Sequence, residues 1–263
     1  SFCCTNMPRG ACCKRSSGFT VSNPSKNYAP HLGLEPKHIV IKANVDLANK
    51  KVDFVVTHTI KCNNVSCRSI ELNAMGFQNM AVTCDSVDWS YNGEIVTLTW
   101  DKPWKQDETK DVTLSYSVVN PITAVIFRYP DEKFPDVSPY LLIDNESERA
   151  RYWLATVDIP TVRTTLEYFI TAKKEYTILA NGKESKLEED KDSTLKTSHW
   201  VLDYPCPAYL TCWAVGDFVT VKDEALDGIP ISYFAPKEVK ESDLRLTFQE
   251  TRKIMALMQK STQ

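Results

Sequence analysis

Two neighbouring runs decide the fold class: His38-Ile39-Val40-Ile41-Lys42-Ala43-Asn44-Val45-Asp46-Leu47 and Val52-Asp53-Phe54-Val55-Val56-Thr57-His58-Thr59-Ile60. The link between them is Ala48-Asn49-Lys50-Lys51. Both runs alternate apolar and polar residues over part of their length, the two-residue period of a strand with one buried face. Joined by a short polar link, they read as a hairpin.

The same pattern recurs at Ser69–Leu72, Met80–Cys84, Ser86–Tyr91, Glu94–Trp100 and Asp111–Val119. Asn92-Gly93, before the fourth of these, is the pair that a type I′ turn demands, because both central positions need positive φ. Pro121, Pro130, Pro135 and Pro139 mark a stretch that reads as irregular. Strand-like runs then resume at Tyr140–Ile143, Thr164–Ile170, Tyr176–Ala180, His199–Asp203 and Leu210–Val221. The charged segment Lys183–Lys196, after the Asn181-Gly182 turn, reads as an exposed, solvated loop. With almost no helical periodicity before residue 240, the expectation is a mainly β domain, a sandwich or large curved antiparallel sheet.

The last segment has a different period. Ser242 is placed to cap one helix over 242–260, whose apolar positions Leu244, Phe248, Met255 and Met258 follow one face, widened by Ile254 and Leu257. Such a stripe must be buried. Either it packs back on the sheet or its partner lies in polypeptide that this chain lacks, and the second is the expectation.

Composition bounds the function. The chain has 263 residues, 43% apolar and 25% charged, within the globular range, and a formal net charge of -3. That balance gives no cationic field, so neither nucleic acid nor an anionic membrane is expected as a partner. No apolar run reaches the roughly 18 residues of a membrane span, and the start of the chain lacks a signal-peptide pattern. A soluble, cytoplasmic protein is the expectation.

Of nine cysteines, Cys3, Cys4, Cys12 and Cys13 crowd the start of the chain. A frayed, reduced segment is the plainest reading; a disulfide, a metal clip or palmitoylation are alternatives, although no C-x2-C spacing is present. Cys62, Cys67, Cys84, Cys206 and Cys212 read as small hydrophobes, and Cys62 and Cys67 flank a turn that they could bridge in an oxidising compartment. Asn64 and Asn145 each begin an N-x-S match for glycosylation. His31, His38, His58 and His199 fall in no metal-ligand spacing and read as structural. There is no G-x-S-x-G elbow and no glycine-rich phosphate loop, so no catalytic residue and no metal ligand is assigned in this chain.

The densest run of charge is Asp144-Asn145-Glu146-Ser147-Glu148-Arg149-Ala150-Arg151-Tyr152-Trp153, followed by Asp158-Ile159-Pro160. If 141–146 continue as a strand, Asp144 and Glu146 project from the same face and two carboxylates share a patch that would attract an ammonium group. The alternative is a solvated ion-pair cluster in which these acids answer Arg149 and Arg151.

Glu146-x-x-x-x-Arg151, Asp158-Ile159-Pro160, Val162-Arg163-Thr164-Thr165-Leu166, Leu179-Ala180-Asn181-Gly182 and Tyr209-Leu210-Thr211-Cys212-Trp213-Ala214-Val215-Gly216-Asp217-Phe218 resemble, in order and spacing, the N-terminal domain of zinc aminopeptidases such as aminopeptidase N and leukotriene hydrolase. The resemblance covers roughly residues 37–221. It implies a saddle-like β domain at 37–223, preceded by a cysteine-rich, irregular segment at 1–36. Residues 224–263 would then be a linker, strand and helix resembling the start of a catalytic domain. In that family the corresponding domain lines the substrate's free α-amine, which places the role on Glu146 first and Asp144 second. Asp144 stands where many relatives have Gln, and Ala155-Thr156-Val157 where they have a Pro-containing stretch. The family's zinc ligands, catalytic Glu, G-x-M-E-N motif and oxyanion Tyr have no match. The resemblance therefore implies a non-catalytic, amine-lining part of an aminopeptidase. Its zinc is expected in the catalytic domain, and its partners are that domain and a peptide N-terminus. A stand-alone scaffold of the same fold is the alternative.

Overall fold

A computed structural model describes residues 32–262, apart from Val65 and residues 190–192. The opening hairpin is present: β1 (Leu34–Asp46) pairs antiparallel with β2 (Lys51–Cys62). Ile39, Ile41 and Ala43 from β1, and Phe54, Val56, His58 and Ile60 from β2, are buried at alternate positions. There follow β3 (Ser69–Asn73), β4 (Gln78–Thr83), β5 (Val87–Tyr91), β6 (Ile95–Trp100), β7 (Thr109–Val119), β8 (Val125–Arg128) and β9 (Tyr140–Ile143). Beyond them lie β10 (Arg163–Lys173), β11 (Thr177–Ala180), β12 (Lys183–Glu189), β13 (Leu195–Pro207), β14 (Trp213–Gly216), β15 (Phe218–Leu226) and β16 (Ile229–Pro236). Two helices end the described chain, α1 (Glu241–Thr247) and α2 (Thr251–Ser261).

The strands form a seven-stranded sheet ordered β12-β13-β10-β1-β2-β7-β4, a four-stranded sheet β11-β14-β9-β8, a three-stranded sheet β3-β6-β5 and the hairpin β15-β16. Inward side chains of the first three sheets merge into one core. Phe54, Leu114, Tyr168 and Ile170 come from the large sheet, Leu72, Leu98 and Trp100 from the three-stranded sheet, and Leu141, Ile143, Trp213 and Val215 from the four-stranded sheet. A second, smaller cluster of Val221, Ile231, Tyr233 and Leu244 joins the β15-β16 hairpin to α1.

The mainly β class holds, with one departure from a fully antiparallel sheet: β1 pairs parallel with β10, His38 opposite Thr165 through Asn44 opposite Thr171. A parallel pair needs a long crossover, and here the intervening chain builds β2, β4 and β7 of the same sheet, the whole three-stranded sheet, and β8 and β9 of the four-stranded one, so no local signal announces it. The charged segment after Asn181-Gly182 is not a loop over its first half. Lys183–Glu189 is the fully exposed edge strand β12, paired to β13, and its alternating charge suits an edge that must not recruit further strands. The run at Leu210–Val221 is two strands, β14 and β15, parted at Asp217. The proline-marked stretch contains β8. Cys62, Cys67, Cys84, Cys206 and Cys212 are all free thiols, so no Cys62–Cys67 bridge forms; Cys3, Cys4, Cys12 and Cys13 lie outside the described residues.

The single helix expected over 242–260 is broken at 248–250. The Phe248 ring stacks on Tyr233 with centroids 4.6 Å apart and planes 9° apart, and the Thr247 hydroxyl donates back to the Asp243 carbonyl. The ring stack anchors the end of α1 to β16, and the Thr247 bond stays within the last turn of α1. Nor does Ser242 cap the helix: Lys240 occupies the N-cap position with no side-chain hydrogen bond.

Candidate functional site: an acidic segment pinned by Asn145

β9 ends at Ile143, so the acidic string does not continue as a strand to residue 146. The alternation nevertheless persists for three more residues. Asp144 and Glu146 are exposed, while Asn145 between them is 3% exposed. The Asp144 amide donates to the Ala124 carbonyl at 2.8 Å, tying the segment to the start of β8.

Asn145 fixes this arrangement. Its side-chain Nδ2 donates to the Thr211 carbonyl, to Thr211 Oγ1 at 2.9 Å and to the Ala208 carbonyl at 3.4 Å; its Oδ1 accepts from Trp153 Nε1 at 2.8 Å. Trp153 is itself wedged between Phe54 and Trp213, with ring centroids 5.8 Å from each. A buried amide is costly unless its donors and acceptors are met, and here they are met from two separate parts of the chain. The side chain is therefore part of the core and no glycan acceptor in this fold. Its sequence signal was hidden: a single Asn within a charged string looks solvated.

The acids differ in what they touch. Asp144 faces Arg149 Nη1 at 3.4 Å and accepts the Glu146 amide at 3.4 Å. Glu148 contacts Arg151 Nη2 at 3.3 Å. Asp158, 2% exposed, accepts from Arg151 Nε at 2.9 Å and from the Arg151 amide at 3.2 Å, while its own amide donates to Asn73 Oδ1. The Glu146 carboxylate has no ion pair or side-chain hydrogen bond among the described residues. Of the two acids in the expected patch, Asp144 is thus ion-paired to Arg149, while the Glu146 carboxylate meets no cation among the described residues.

Cys212 borders the same segment, its Sγ 3.6 Å from the Ile143 carbonyl. Desolvation, and then the charge on Asp144, push its thiol above the ordinary value, which disfavours the thiolate a nucleophile or metal ligand needs. Among the described residues no group of three or more His, Cys, Asp or Glu side chains could hold a metal ion. His58 is fully buried in the large sheet, and burial drives its imidazole down to about 4. The Ala155 backbone acts weakly in the opposite direction without meeting hydrogen-bond geometry, so His58 is a neutral core residue. No described helix is long and apolar enough to cross a membrane.

A core built from three sheets, with an exposed acidic segment held from beneath by the buried Asn145, defines the domain. Residues 34–210 match the model of the Peptidase M1 N-terminal domain, and the chain belongs to that family. Human glutamyl aminopeptidase is 30% identical over 106 residues, covering 40% of this chain and 11% of that protein. A two-domain M1 zinc metallopeptidase bound to L-tryptophan superposes with a TM-score of 0.64 at 17% identity, over 80% of this chain and 50% of the other. An M1 zinc metallopeptidase of Deinococcus radiodurans bound to a Tyr-Ser-Ala substrate gives 0.60 at 19% identity, over 78% and 47%. The chain thus spans about half the length of these solved relatives, and their likeness shows the fold.

Proposed function

We propose that this chain is the non-catalytic, substrate-amine-lining N-terminal domain of a zinc-dependent aminopeptidase. The observation that carries the reading is the unpaired, outward Glu146 carboxylate beside Asp144, both held by the buried Asn145. Glu146 receives the substrate ammonium. Asp144, already shared with Arg149, adds negative potential and orients the segment by accepting the Glu146 amide. The contribution is positioning: fixing the amine sets where the first peptide bond lies.

The described residues do not fit a zinc ion, because no group of three or more His, Cys, Asp or Glu side chains converges among them. Metal and water activation are assigned to the catalytic domain that accompanies this one in the family's enzymes. The outward stripe on α2, with Ile254, Leu257 and Met258 all exposed, supports such an interface over a self-contained scaffold, which would cover its own apolar face.

The test is Glu146→Gln in a protein carrying both domains. The expected result is a KM raised about tenfold or more for peptides with a free amino terminus, with zinc content unchanged, since a charge-assisted contact contributes roughly 1.5–3 kcal/mol. An unchanged kinetic profile would assign Glu146 to the solvated surface.

A further inference from the structure

Ile126 on β8 lies opposite Leu142 on β9, Leu142 opposite Ala214 on β14, and Ala214 opposite Leu179 on β11. Opposed residues project to the same face, so these four side chains form one apolar row across the whole four-stranded sheet. It is the outer face, because the flanking Leu141, Ile143 and Val215 are in the core. Ile126 is 46% and Leu142 40% exposed, whereas Ala214 is buried, so the open part of the row is Ile126 and Leu142. At the end of β8 away from the acidic segment, Arg128 lies over the Tyr140 ring and pairs with Glu238 at 3.1 Å, which bounds the row on that side. On the other side the next outward residue after Leu142 is Asp144, then Glu146.

From this juxtaposition we infer that the domain prefers peptides whose first residue carries an apolar side chain, which lies along Leu142 and Ile126 while the ammonium sits on Glu146 and Asp144. This rests on the amine-lining reading above. Leu142 and Asp144, outward positions two residues apart, are separated by about 6.5 Å on extended backbone, so with the ammonium on the Asp144 side of the acidic segment a leucine or methionine side chain reaches towards Leu142 and glycine does not. Charge selects in the same direction. An acidic first residue would bring a further negative charge to a face that already carries two carboxylates, whereas an apolar one removes Leu142 and Ile126 from water.

The experiment is equilibrium binding of this chain, followed by NMR shifts of its amides, to Leu-Gly-Gly, Gly-Gly-Gly, Glu-Gly-Gly and N-acetyl-Leu-Gly-Gly, each as the carboxamide. Leu-Gly-Gly should bind about fivefold or more tightly than Gly-Gly-Gly, and Glu-Gly-Gly most weakly of the free-amine peptides. Leu142→Asn should bring Leu-Gly-Gly to the Gly-Gly-Gly affinity without altering the latter. Ile126→Thr should give a smaller loss of the same kind, and so guards against misfolding of one variant. Glu146→Gln should weaken the Leu and Gly peptides equally. Equal binding of these two, both needing a free amine, overturns this inference and spares the amine-lining reading. Equal binding of the acetylated peptide, or no binding at millimolar concentration, overturns both. Should Leu142→Asn leave peptide binding intact but dissociate a dimer, the row belongs to a second copy and the inference fails.

Discussion

The Trp153 indole N–H donates to the Asn145 side-chain oxygen at 2.8 Å, beneath the segment that carries Asp144 and Glu146 outward. In Asn145→Leu the apolar volume is kept, but the Trp153 N–H and the Thr211 carbonyl lose their buried partner. Each orphaned group costs about 1–3 kcal/mol, so a loss of about 2–4 kcal/mol is expected from urea unfolding, with an unchanged denaturant slope. A change within 0.5 kcal/mol would show that the network is not a determinant of the fold.

Arg151 and Asp158 form the other fixed point, and they predict a contrast. Arg151→Met leaves the Asp158 carboxylate buried without its cation and should cost about 3–5 kcal/mol; adding Asp158→Asn should recover much of that. Glu148→Gln removes an exposed contact to the same guanidinium and should shift stability by at most about 0.5 kcal/mol. Thermal or chemical denaturation of the three variants checks the pattern. Equal effects of Arg151→Met and Glu148→Gln would remove the special standing of the buried pair.

These two anchors mark where the sequence stops being legible. The period-two runs from His38 to Ile60 lead directly to the β1-β2 hairpin, because a half-buried strand writes its inner face into every second residue. The alternation of Asp144, Asn145 and Glu146 is visible in the same way, although the strand itself ends at Ile143. What the period cannot show is long-range closure. The parallel β1-β10 pairing joins residues more than a hundred positions apart, and Asn145 is buried only because Ala208 and Thr211 arrive from a distant turn. Likewise Lys183–Glu189 carries the composition of a loop and becomes a strand only through pairing with β13. The break between α1 and α2 depends on Tyr233 meeting Phe248, a contact to another strand.

His58 gives a prediction in pH. Its folded imidazole titrates at about 4 against 6.5 for the free side chain, with desolvation as the main cause. Between these values the unfolded chain binds the proton and the folded chain does not, so stability rises with pH through this window. It is lost as pH falls from 6.5 towards 4, by about 3 kcal/mol once both states are protonated. His58→Leu should flatten that part of the curve. The comparison to make is the unfolding free energy at pH 7.5 minus that at pH 4.5, which should shrink by about 2–3 kcal/mol in the variant. An unaltered difference would mean that other groups govern the acid limb.

The apolar stripe of α2 gives the last prediction. The face towards the β15-β16 hairpin is used: Met255 packs against the cluster built on Val221, Tyr233 and Leu244 of α1. The opposite side is not, with Leu257 66% and Ile254 55% exposed. Fully burying a side chain of this kind contributes about 1.5–3 kcal/mol, so several of them on one helix favour association whenever copies meet. Sedimentation of this chain should therefore show self-association that grows with concentration, and Ile254→Lys with Leu257→Glu should abolish it. Because neither side chain supports the fold, the midpoint of thermal unfolding at low concentration should stay within the small range expected of surface substitutions. A monomer at every concentration would remove the argument that this face awaits a partner. A variant that unfolds would instead show that the two side chains belong to the core of the hairpin unit.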